Sequence, residues 1–381
     1  MNLALSEEQA LLQRTVREFA QKEVQPLARE IDETGEFPRA TFRKAAELGL
    51  TGVTIPDRYG GAGFDHLSYA IAIEEISRAC ASTGVILSVQ NSLYADPVYR
   101  FGTEQQKEKF LAPFARGERI GCYALTEPHA GSNAAALRTV AVRRGDCYIV
   151  NGTKAWITNG GVADAAIVYV NTDPARGEKG ITALLVERGT PGFHVGKQEK
   201  KLGIHATACT ELSFTDCKVP VENRLGAEGE GYKIALATLD GGRIGIAAQA
   251  TGIAQGAFEQ ALAYAHQRQA FGHPIADFQA IQFMLADMAT EIDASRLLVR
   301  KAAWKQDTGG RFSQEASVAK LFASEMATRV THKAIQIHGG NGYSCEYPVE
   351  RMYRDARITE IYEGTSEIQR LIISSWVLRN Y

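Results

Sequence analysis

The chain has 381 residues, 45% of them hydrophobic, with 42 basic against 44 acidic side chains and a formal net charge of −2. That is enough material for a large buried core spread over two or three domains. The near-neutral balance gives no electrostatic footprint for nucleic acid or for an anionic membrane surface.

In chain order, Ser6 and Gln9 form a capping box, S-x-x-Q, and Leu11, Leu12, Val16, Phe19 and Ala20 follow at helical spacing. Pro26 stops or kinks that helix. A second helical segment spans residues 39–48, YGGAG at 59–63 is a loop, and further helices cover 67–81 and 103–114. Near Ile120 the period shortens to two. Val140, Val142, Cys147, Ile149 and Val150 flank the turn RRGD as a hairpin, and residues 166–170, 182–186 and 211–214 are further strands. After Gly226 the helical period returns over 232–239, 245–267, 280–305 and 316–337. A last helix starts near Ser366, where Ser366 and Gln369 repeat the capping-box pattern. The order is α+β and multidomain: helical over 1–119, β over 120–225, helical over 226–381.

The six cysteines (Cys80, Cys122, Cys147, Cys209, Cys217 and Cys345) form no CxxC pair, so no metal site is expected, and scattered thiols fit a reducing compartment. The N-terminal MNLALSEEQALLQ lacks a basic region followed by an apolar one, so no signal peptide is expected. No apolar run approaches ~20 residues, so no membrane span is expected. G-x-G-x-x-G after a strand, G-x-x-x-x-G-K-[ST], H-E-x-x-H and G-x-S-x-G are all missing. The chemistry left open is a carboxylate working with an organic cofactor. The segment RITEIYEGTSEIQR, residues 357–370, places Glu363 just before the last helix, with Gly364 giving the backbone freedom there. By spacing alone, Glu363 reads as an acidic residue favouring a helix N-terminus by about 0.3–1 kcal/mol. Behind Ile361 and Tyr362 it could instead be desolvated into a base, and the sequence does not decide between the two.

RDARITEIYEGTSEIQR closely resembles the C-terminal signature of the acyl-CoA dehydrogenases. So do YALTEPHAGSN at 123–133, NGTKAWITNGG at 151–161, RQAFGHPIADFQ at 268–279 and QIHGGNGY at 336–343. The likeness runs in order along the whole chain. LDGGRIGIAAQA at 239–250 and KLGIHATACTELSFTDCKVP at 201–220 make it most similar to the short-chain, butyryl-CoA branch.

The resemblance implies a helical N-terminal domain, a central antiparallel β-barrel-like domain, a C-terminal four-helix-bundle domain, a homotetramer and bound FAD. It implies α,β-dehydrogenation of an acyl-CoA thioester. Glu363 removes the α proton, flavin N5 takes the β hydride, and electrons pass to an electron-transfer flavoprotein in the bacterial cytoplasm or the mitochondrial matrix. Some relatives carry the base just before the arginine of the segment at 239–243. Here that position is Gly242, which leaves Glu363.

By the same resemblance Tyr123, Leu125 and Thr126 lie along the flavin, Ser132 touches FAD and CoA, and Trp156, Ile157 and Thr158 pack on the ring. Asn133 stands where the family usually has aspartate. Arg268, Phe271 and Gln279, with Gln336, Gly339 and Gly340, reach the FAD of a neighbouring subunit, and Thr365 and Glu367 lie beside its adenosine or pyrophosphate half. Asp240 and Arg243 are substrate-side, and Gly364 is a backbone contact to substrate. Read locally, Gly339 is also a helix C-cap and Asp240–Arg243 an i, i+3 ion pair. An oxidase, an enoyl-CoA reductase or a flavin-free scaffold of the same fold are the alternatives. The acyl group depends on side chains near Gln90–Tyr94.

Overall fold

The computed structural model describes residues 4–380. The N-terminal region is helical: α1 (Glu7–Phe19), α2 (Ala28–Thr34), α3 (Arg39–Glu47), α4 (His66–Ala79), α5 (Ala81–Ser88), α6 (Asp96–Phe101), α7 (Glu104–Phe110) and α8 (Ala112–Ala115). The expected capping box forms at α1, where the Ser6 side chain accepts from Gln9 N and the Gln9 side chain accepts from Ser6 N. At Pro26 the helix is interrupted rather than ended. A π turn (Ala20–Val24) and a 3-10 turn (Gln25–Leu27) carry it into α2, so the loss of the proline N–H falls where the ladder is already shifted. The single helix expected over 103–114 is two, α7 and α8, broken at Leu111 just before Pro113.

The middle region is β1 (Gly121–Ala124), β2 (Val140–Arg144), β3 (Cys147–Ile157), β4 (Ala165–Asn171), β5 (Ile181–Glu187), β6 (Phe193–Gln198), β7 (Thr210–Pro220) and β8 (Arg224–Leu225). They form one sheet in the order β6-β7-β3-β2-β4-β5-β8, with β1 also on β4. Most pairs are antiparallel, but β1 and β2 each run parallel to β4. β4 and β5 are buried on both faces. Ile167, Tyr169, Ala183 and Leu185 meet the core shared with Tyr94 and Phe114, while Val168, Val170, Leu184 and Val186 meet the core under β3 and β7. Two-sided burial explains their continuous apolar runs.

The C-terminal region is α9 (Gly231–Gln267), α10 (Gln279–Asp307), α11 (Ser313–His338), α12 (Val349–Arg357) and α13 (Ser366–Asn380). The segments expected at 232–239 and 245–267 are one helix, α9, of 37 residues. Asp240, Gly241 and Gly242 do not interrupt it, because burial against α4, α10 and α11 overrides the weak helix propensity of two glycines. α9 packs on α10 and α11, and α13 packs on α11. Among the described residues no helix is long and apolar enough to cross a membrane.

Candidate active site

A cleft of about 1440 Å³ opens where the β region meets the C-terminal helices. Such a volume exceeds the ~300–1,000 Å³ of a pocket for one drug-sized ligand, so it has room for a cofactor ring and a second molecule together.

One wall comes from the β region. β1 brings Tyr123, and the chain leaving it brings Leu125, Thr126 and Ser132. β3 ends with Trp156 and Ile157, followed by Thr158. The β3–β7 register shifts between Lys154 and Ile157, and Trp156 takes φ 61°, so its indole stands out with 59% exposure. A large flat side chain held outward beside two threonines suits an aromatic cofactor ring.

This wall is rigid for a reason the motif alone does not reveal. The fully buried Lys154 ammonium donates to Glu127 Oε1 at 2.7 Å and to the Leu125 carbonyl at 3.2 Å. Glu127 also accepts from Arg138 N at 2.6 Å and Thr139 N at 3.0 Å. Burial opposes the Glu127 charge, but Lys154 and these donors outweigh it and hold the carboxyl below its ordinary range. Ala155 N donates to the Thr126 carbonyl at 2.9 Å, which ties the loop to β3.

The opposite wall comes from α9 and the turn entering α13. Glu363 takes φ 53° and Gly364 φ 93°. The residue is half-buried, but its Oε2 is sealed and has no hydrogen-bond partner. Burial raises the carboxyl pKa to about 7, against the lowering pull of Lys320 and Arg243. Desolvation therefore wins, which the sequence could not decide. The Oε2 atom sits over Gly242, so tightly that a Cβ at residue 242 would collide with it, and would also lie 2.8 Å from Leu93 Cδ2. Gly242 is thus the floor of the carboxylate's nook. Val85, Val89 and Leu93 wall the cleft beside it.

Arg243 lines the cleft with its side chain 5% exposed and pairs with Asp240, which Ser313 also holds. Asp240 itself is not in the lining. The capping box expected at Ser366–Gln369 does not form. Ser366 Oγ is buried without a partner, and Thr365 Oγ1 caps by accepting from Ile368 N at 3.3 Å. Gln369 instead turns back, its Nε2 donating to the carbonyls of Gly364 (2.9 Å) and Glu363 (3.2 Å).

Of the expected residues, Tyr123, Leu125, Thr126, Ser132, Trp156, Ile157, Thr158, Arg243, Glu363, Gly364 and Thr365 come together in this cleft. Arg268, Phe271, Gln279, Gln336, Gly339, Gly340 and Glu367 do not line it and are exposed. Gly339, φ 61°, donates its N–H to the Gln336 carbonyl and ends α11, so the C-cap reading holds. Its turn rests on the far end of α9: Tyr264 stacks on His338 at 4.3 Å, and Asn341 Nδ2 donates to Tyr264 Oη at 2.9 Å. Phe271, 94% exposed, follows that same end of α9.

Lys154, Glu127, Lys320 and Gln369 were missed as site residues. The one visible signal was Lys320, a charge on an otherwise alanine-lined helical stripe with Ala316, Ala323 and Ala327.

Three family models match the chain in order: the N-terminal (residues 6–118), middle (122–217) and C-terminal (229–378) domains of acyl-CoA dehydrogenase. The chain belongs to the acyl-CoA dehydrogenase family. It is 53% identical over 380 residues to the mitochondrial short-chain specific acyl-CoA dehydrogenase of Mus musculus, covering 100% of this chain and 92% of that one. It is 53% identical over 379 residues to the short-chain specific acyl-CoA dehydrogenase of Clostridium acetobutylicum, covering 100% of both. Butyryl-CoA dehydrogenase from Megasphaera elsdenii superposes with a TM-score of 0.98 at 48% identity, covering 100% of both chains. A chain solved in work on the electron transferring flavoprotein of Acidaminococcus fermentans gives 0.99 at 49%, again covering 100% of both.

Proposed function

We propose that this protein dehydrogenates a short-chain acyl-CoA thioester to the trans-2-enoyl-CoA with FAD as cofactor and passes the electrons to an electron-transfer flavoprotein. The observation that carries this is Glu363: a carboxyl with a pKa of about 7, one oxygen sealed and unpartnered, in the lining of a cleft with room for two ligands. A base is most effective when its pKa lies near the working pH, and an ordinary glutamate would be too weak a proton acceptor.

The division of labour follows from the walls. Trp156, Thr158, Leu125 and Thr126 would hold the flavin ring, and bound FAD supplies the acceptor for the hydride lost from the β carbon. Val85, Val89 and Leu93 offer an apolar surface beside Glu363 that excludes water from a small acyl chain. The Glu363 carboxylate removes the α proton, and the backbone N–H of Glu363 would meet the thioester oxygen as charge develops there. Arg243 and Ser132 stand toward the CoA moiety. The exposed group from Arg268 to Gln279, with the Gly339–Gly340 turn, would complete the cofactor site of a neighbouring copy in a homotetramer.

The purified protein is expected to be yellow and to bleach when butyryl-CoA is added without oxygen. Glu363→Gln should keep the flavin and lose about 10²–10⁴-fold in turnover. Normal turnover in that variant would end the assignment of Glu363. Oxygen uptake without another acceptor would identify an oxidase instead.

A further inference from the structure

Lys320 lies on α11 and is fully buried. An ammonium there is costly to desolvate unless something offsets it. Its Nζ donates to the Gly364 carbonyl at 2.7 Å. That carbonyl also accepts from Gln369 Nε2 at 2.9 Å, and the same amide reaches the Glu363 carbonyl at 3.2 Å. Donors from two helices thus converge on two successive carbonyls. Both residues are in the left-handed region, φ 53° and 93°, which a glutamate visits only under strain. Gln369 Oε1 is buried without a partner, so its side chain is placed for what its amide donates.

We propose that Lys320 and Gln369 are positioning residues for the Glu363 base: together they pin the carbonyls of Glu363 and Gly364, and Lys320 adds a positive charge at the turn that carries the buried carboxylate. This rests on the reading of Glu363 as the base. A neutral donor would satisfy a carbonyl equally well, so the charge is the informative part. Burial is the largest influence on Glu363, and Lys320 leads the groups that oppose it, ahead of Arg243 from α9. Burial likewise dominates Lys320, and Glu363 leads the groups that oppose it, ahead of Glu360 and Glu367, while Arg243 adds to burial. Tyr69 from α4, Tyr123 from β1 and Tyr362 also feel the Glu363 charge.

The test uses the flavin-loaded protein and pH profiles of kcat with butyryl-CoA. Lys320→Met should move the acid limb upward by roughly one pH unit and lower the plateau about tenfold, with KM little changed. Gln369→Met should lower the plateau and leave the limb in place. Lys320→Gln, which keeps a donor without the charge, should recover plateau activity but not the limb, and it takes over the pH test if Lys320→Met does not fold. A second readout is the carboxyl infrared band that Glu363→Gln abolishes, which should titrate higher in both Lys320 variants. An unmoved limb and band in Lys320→Gln overturns the proposal, even if that variant melts early. If the unsubstituted protein fails to bleach with butyryl-CoA, or Glu363→Gln turns over normally, the reading of the base fails instead.

Discussion

At Glu363 the fold opposes the ionised form that the proposed role as base requires. Folded, it keeps its proton to about pH 7, against an ordinary value of 4.5. Because the folded value is the higher one, its contribution to stability is fully present below about pH 4.5 and is lost as pH rises through about 7. The proposed proton abstraction needs the ionised form, so activity is expected to rise over the window in which this contribution fades. Glu363→Gln is neutral throughout. It should therefore melt higher than the unsubstituted protein at pH 8, by the equivalent of about 1–3 kcal/mol, and converge with it toward pH 5. Thermal melts at a series of pH values measure this. Equal melting at pH 8 would mean that the carboxylate is solvated in solution. The unpaired Oε2 and the gain on neutralising it are one trade of stability for function.

At the scale of elements, α9 shows that identical residues can have opposite roles. A Cβ at Gly252 would run into the Glu74 carbonyl of α4 and stand 3.0 Å from Arg78 N, both backbone atoms that cannot swing away. Gly252→Ala gains at most about 1 kcal/mol of helix propensity and should still lose about 1–3 kcal/mol net, because two helices must part. Gly241 meets only Gln306 Nε2, at 3.6 Å, so Gly241→Ala should stabilise by about 0.5–1 kcal/mol. Denaturant titration of both variants separates the cases. Nothing in the sequence distinguishes these glycines, because the difference lies in what packs against them.

What was legible in the sequence follows the same division between local pattern and packing. Element type was readable wherever one pattern held: β4 and β5 as apolar runs, and α10 and α11 as periodic helices. Junctions were not, because Asp240–Gly242 and Pro113 are decided by burial and by backbone register. The π turn over Val89–Ala95 left no trace in the pattern, since nothing in residue type marks the extra backbone atoms it inserts. Within the site, motif residues on the cleft walls were readable by resemblance. Lys154 and Gln369 act on backbone carbonyls whose positions exist only after folding.

For the whole molecule, the exposed side chains matter as much as the cleft. Phe271, Phe283, Tyr343 and Leu378 are large apolar groups 65–94% exposed, on a chain whose near-zero net charge gives little repulsion between copies. The proposed tetramer would cover them. Sedimentation should report a four-chain species. Phe271→Ala should weaken FAD retention roughly 10–100-fold, the effect of losing one buried aromatic contact, while leaving secondary structure intact. Unchanged retention would remove the cross-copy role of Phe271.

The nook over Gly242 bears on ancestry. Two positions 121 apart in sequence (363 − 242) claim one small volume, and only one can fill it. A descendant that enlarges residue 242 while keeping Glu363 passes through a crowded, impaired intermediate. A descendant that first shortens residue 363 passes through one without its base. The two positions are therefore expected to change together or not at all, and a glycine with no chemistry of its own becomes as fixed as the carboxylate above it.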